Sequence, residues 1–195
     1  MARMIGTMLV AGLVLAGCGG GDKAAQGRGA VASGGGAEVD PCSLISAEEM
    51  TAITTDKVSG TMRDGASCTY RSAPDDGVQI TVRASGGAEA MDVVHRTAKL
   101  LGGMGDAVAD KGGAGADVQN MLQEDKSAAP ALGDEAVWGM NDMLSVRKGD
   151  AFVEVTPPIM HDPANHSGYP LIGKQEKRKI AETVAARLLA KLTPK

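Results

Sequence analysis

Apolar and polar positions alternate most cleanly from Val78 to Ala84, with Val78, Ile80 and Val82 on one side and Gln79, Thr81 and Arg83 on the other. A period of two with one dry and one wet face predicts a half-buried strand of an antiparallel sheet. Two segments before it read the same way. Val58 to Arg63 stops at the tight-turn pair Asp64-Gly65, and Ser67 to Ser72 stops at Pro74-Asp75-Asp76-Gly77, a strong turn signal. From Ala88 the period lengthens to that of a helix, with Met91, Val94, Ala98 and Leu101 along one side. A glycine-rich loop, Gly102 to Asp117, is expected next, and then a weak helical turn over Val118 to Lys126. Strands resume at Glu135 to Met140, Met143 to Arg147 and Ala151 to Thr156. Asn141-Asp142 and Lys148-Gly149 separate them, and Pro157-Pro158 ends the last.

Helices bracket these strands. Ser46 and Glu49 stand three apart, as N-cap and N3 of a capping box, and open a short helix to about Thr54 with Met50 and Ile53 turned inward. The last helix is predicted from Gly173 to Lys191, on the stripe Ile180, Val184, Leu188 and Leu192 with Ala181 and Ala185 beside it. The order is helix, three strands, helix, three strands, helix. Strands joined by tight turns make an antiparallel sheet whose apolar face needs helices to cover it, so the expected class is α+β, with about six strands.

Upstream of this pattern the chain changes character. Arg3 precedes an uncharged apolar stretch, Met4 to Ala16, which is shorter than the roughly 20 residues that a membrane-spanning helix needs. It ends in Leu15-Ala16-Gly17-Cys18, a lipobox. The order of charged region, apolar region and small residues before a cysteine predicts a lipoprotein signal peptide over 1–17, with Cys18 the lipidated residue. Two or three acyl chains, at about 0.8 kcal/mol per buried methylene, would make that anchor effectively permanent. Gly19, in place of an aspartate, points to the outer membrane in a cell with two membranes. In a cell with one, the protein would sit on the outer face of the plasma membrane.

Gly19 to Val39 contains eight glycines in 21 residues, with no apolar period. It reads as a flexible tether with a span of about 25 Å. Residues 40–195 then make a single domain of ordinary size. Its aromatics are only Tyr70, Trp138, Phe152 and Tyr169, so the core must be built from Val, Leu, Ile, Met and Ala. With Cys18 carrying lipid, Cys42 and Cys68 remain in an oxidising compartment, where two thiols normally pair as a disulfide. A redox or metal-binding pair is the alternative, but there is no Cys-x-x-Cys and no histidine close by in sequence.

Three short patterns occur in order. Asp40-Pro41-Cys42-Ser43-Leu44-Ile45-Ser46 precedes the first helix, Cys68-Thr69-Tyr70 lies in a strand, and Leu132-Gly133-Asp134-Glu135-Ala136 opens the second group of strands. Together they resemble a family of bacterial lipoproteins best known from actinobacteria, across most of Asp40 to Leu192. The resemblance implies a PsbP-like α/β/α sandwich with Cys42 and Cys68 as its structural disulfide. It supplies neither catalytic residues nor a substrate.

Candidate chemistry is thin. Gly168 to Gln175 nearly spells a phosphate-binding loop, but Gln175 stands where a magnesium-binding Ser or Thr is required. Gly112 to Asp117 starts like a calcium-binding nonapeptide, but Gln119 replaces its apolar residue and no tandem repeat follows. His161 and His166 flank Asp162, and His95 lies on the middle helix, yet the spacing fits no zinc signature. Met140 and Met143 could suggest copper, but methionine as filler suits a core short of aromatics. Ser145 and Lys148 spell Ser-x-x-Lys on a strand, which does not stack the two side chains.

These readings predict no catalytic residue, no metal and no cofactor. A net charge of −4 and few aromatics argue against nucleic-acid binding. The one basic cluster, Lys174, Lys177, Arg178 and Lys179, reads as a solvated helix face or a contact with an anionic surface. Two functions are left: a non-catalytic envelope module that meets a protein partner, or a carrier holding a small apolar ligand between sheet and helix. An apolar cavity of a few hundred Å³ would favour the carrier, and a filled core with an open patch the module.

Overall fold

The computed structural model describes residues 39–73, 76–109, 129–163 and 170–192. The expected signal peptide, Cys18 and nearly all of the expected tether lie outside these, as do the calcium-like motif, the helical turn expected over 118–126 and His166.

The class is α+β. Six strands form one antiparallel sheet: β1 (Gly60–Asp64), β2 (Ser67–Ala73), β3 (Asp76–Arg83), β4 (Glu135–Trp138), β5 (Leu144–Lys148) and β6 (Ala151–Thr156). Their order, β1-β2-β3-β6-β5-β4, is two three-stranded meanders joined along β3 and β6. The joint is apolar, with Ile80 opposite Val155 and Val82 opposite Val153. Two-residue periodicity then sorts the side chains. On one face Tyr70, Ile80, Val82, Trp138, Leu144, Val146, Val153 and Val155 are buried.

Two helices cover that face. Helix α1 (Ala47–Thr54) starts from the capping box, with Glu49 N–H donating to Ser46 Oγ and Ser46 N–H to Glu49 Oε2. The C-terminal helix, Lys174–Leu192, buries Ile180, Ala181, Val184, Ala185, Leu188 and Leu189. The expected stripe is present, and Leu189 widens it. Burying a Val or Leu side chain contributes roughly 1.5–3 kcal/mol, so this interface is the main source of stability.

Helix α2 (Gly87–Ala109) links the meanders and packs on the opposite face, where Ala90 and Met91 meet Val137 and Phe152. It is longer than its apolar period suggests. Residues 102–109, expected to be loop, continue the helix. Each glycine there costs about 1 kcal/mol relative to alanine, but it does not break the hydrogen-bond ladder as proline would. The C-terminal helix is therefore α3.

Asp76 and Gly77 also depart from expectation, since they belong to β3 and not to the preceding turn. The strand shifts register between Arg71 and Ala73, and a Cβ on Gly77 would lie 2.1 Å from the Tyr70 carbonyl oxygen. Only glycine lets the two backbones approach so closely.

Candidate functional site

Cys42 and Cys68 form a disulfide with a Cα–Cα distance of 5.2 Å. It ties the 3-10 turn Pro41–Ser43 to β2. Two residues along the same face, the buried Tyr70 hydroxyl donates to the Ile45 carbonyl at 2.7 Å. Burial pushes the Tyr70 phenol up to about 12, against the opposing hydrogen bond to that carbonyl. This corner is built to hold its shape.

Three carboxylates tie down loops that the sequence left open. Asp56 is fully buried, accepts from His161 Nδ1 at 2.8 Å and from Asp162 N–H at 3.3 Å, and so joins the end of α1 to the segment after β6. His161 Nε2 lies 3.6 Å from Glu176 Oε1 on α3. Asp76 Oδ2 accepts from the N–H groups of Ile159 and Met160 at 2.7 and 2.8 Å. Asp142, in a left-handed turn with Asn141, pairs with Lys177 at 2.9 Å and Arg178 at 3.1 Å. The Arg178 guanidinium also sits 4.6 Å above the Trp138 ring. Lys177 and Arg178 of the expected basic cluster are thus engaged within the fold.

The two histidines among the described residues, His95 and His161, take separate partners. His95 bonds Glu135 at 2.7 Å beside Arg147, and that bond, with the arginine, holds the Glu135 carboxyl below its usual range. His161 takes Asp56 instead. Among the described residues no group of three or more His, Cys, Asp or Glu is placed to hold a metal ion. Lys174 opens α3, so the part of the phosphate-loop motif in view is a helix start. Ser145 is buried and donates to Glu154, while Lys148 is exposed, so the Ser-x-x-Lys pair is separated across the sheet.

Two surface features remain. The first is the half of the outer sheet face that α2 does not reach. Met62, Thr69, Gln79 and Thr156 stand opposite one another in register across four strands. With Arg71, Pro157 and Ile159 they line a depression of about 320 Å³. Met62 and Ile159, 54% and 51% exposed, are its apolar rims. Among the described residues β1 pairs only with β2, and all five of its residues are exposed.

The second is a cleft of about 180 Å³ beneath α2. Val94, Ala98 and Leu101 of the helix face Val137, Met140 and Met143 across it, and Glu154 of β6 is its ionisable lining residue. Burial pushes the Glu154 carboxyl up, opposed by the Ser145 hydrogen bond and by Arg83. Sequence reasoning passed over this residue, although a lone acid inside Ala151-Phe152-Val153-Glu154-Val155-Thr156 was visible there.

No family model, no curated protein and no solved structure matches the chain. No helix among the described residues is long and apolar enough to cross a membrane.

Proposed function

We propose that the chain is an exported lipoprotein, anchored to an envelope membrane through Cys18, whose domain is a non-catalytic module that docks a protein partner. The lipobox and the glycine-rich tether support the anchor. The observation that carries the docking reading is the uneven cover of the sheet. The face under α1 and α3 is a filled core, whereas the outer face is covered over β5 and β6 and open over β1 to β3. An extended segment of the partner would lie along the outer edge of β1 and set side chains against Met62, Gln79 and Ile159. The resemblance to actinobacterial-type lipoproteins is consistent with this assignment.

Site-specific photocrosslinking in the producing cell tests it. A photoreactive residue at Met62 or Gln79 is expected to trap one discrete protein, and the same residue at Ala186, exposed on α3, is expected to trap none. Equal crosslinking from all three positions, or none from any, would refute the docking face.

A further inference from the structure

The cleft under α2 is a separate feature from the docking face, and its chemistry is more particular. Its walls are almost wholly aliphatic or thioether, yet one carboxyl group has been placed among them. Glu154 Oε2 accepts from Ser145 Oγ at 3.1 Å, and Oε1 has no protein partner among the described residues. Nor does any described cation pair with this carboxylate, and Arg83 acts on it only at longer range. The other acids of this face are spent within the protein: Glu135 on His95 and Arg147, Asp134 on Arg147. A carboxylate drawn partly out of water without a counter-charge is costly unless something supplies one.

The space sets the size of what can supply it. An apolar cavity of about 150 Å³ accommodates a benzene ring. The cleft, at about 180 Å³, has room for one ring or a short alkyl chain with a small polar end. Charge complementarity then selects that end, since a bond from an ammonium to a carboxylate is roughly twice as strong as one between neutral groups.

We propose that the α2 cleft is a binding site for a small apolar amine whose enclosed part is about the size of one ring, its ammonium on Glu154 Oε1 and its hydrocarbon part between Val94, Ala98, Leu101 and Met143.

The test uses the full chain in phosphatidylcholine vesicles, titrated at neutral pH with 2-phenylethylamine, 2-phenylethanol and 3-phenylpropionate. These share a ring and a chain and differ in the terminal group. Expected by calorimetry is a saturable heat of binding for the amine, at least tenfold weaker binding of the alcohol, and none of the acid. Glu154→Gln is expected to erase the preference for the amine with no loss of melting temperature. Ala98→Phe, which fills the cleft, is expected to abolish binding of every probe. Equal affinity for amine and alcohol, or an unchanged preference in Glu154→Gln, would overturn the role of the carboxylate. Undiminished binding in Ala98→Phe, or no binding of the amine at all, would overturn the site.

Discussion

Replacing both cysteines, Cys42→Ala with Cys68→Ala, tests how the first turn of the domain is held. The disulfide closes a loop with a sequence separation of 26. In the chain-entropy model, opening a loop of that size costs about 3.5 kcal/mol, because the unfolded chain regains the freedom that the crosslink removed. Cys68 is fully buried, so the lost sulfur adds a packing term to the entropic one. For a domain of this size 1 kcal/mol corresponds to about 2–4 °C in melting temperature, which gives an expected fall of about 7–14 °C. Thermal melts followed by circular dichroism measure it, with the reduced wild-type chain as the comparison that keeps both sulfurs. The two should fall together, the reduced protein slightly less. A fall of under about 3 °C in both would refute the reasoning, because Pro41–Ser43 would then lie outside the cooperative unit.

Tyr70→Phe removes the hydroxyl that reaches the Ile45 carbonyl and leaves that carbonyl unpaired, so urea unfolding should show a loss of about 1–2 kcal/mol. In the wild type Tyr70, raised to about 12, should remain protonated at pH 11, where free tyrosine is ionised. Because the folded value lies above the unfolded one, the stability this residue contributes is full below pH 10 and is lost as the pH rises towards 12; a phenolate absorbance titration checks it. Glu154 is also raised, from 4.5, so its contribution is full below that value and lost as the pH rises through the folded one. Glu154→Gln should therefore melt higher than wild type at pH 7, with the difference vanishing below pH 4.5. Asp56→Ala strips the buried partner from His161 and should cost about 3 kcal/mol by urea unfolding, with a loss below about 1 kcal/mol counting against a structural role for the pair.

Local features of the fold were legible and long-range ones were not. The alternation of Val78, Ile80 and Val82, the Ser46–Glu49 box and the Ile180–Leu188 stripe each state a backbone geometry within a few residues. Nothing local says that β3 pairs with β6, and this pairing defines the sheet. The end of α2 was hidden because glycines at 102 and 103 weaken a helix without stopping it. Nothing near Asp56 in sequence announces His161, 105 positions away, which only the fold brings to it. Asp142 likewise looks like a turn former, and its pairing with Lys177 and Arg178 is what draws these two residues of the basic cluster against the fold. The open half-face was foreseen only as a kind of surface, since which strands α2 covers depends on the meander order.

Every function proposed for the domain presupposes its address. The most direct measurement is the intact mass, with fragmentation of the N-terminal peptide, of the protein extracted from membranes of the cell that makes it. The account predicts a chain beginning at Cys18, its sulfur bearing diacylglycerol, with Met1 to Gly17 gone. A chain that keeps those residues, or one whose Cys18 is a free thiol, would contradict it.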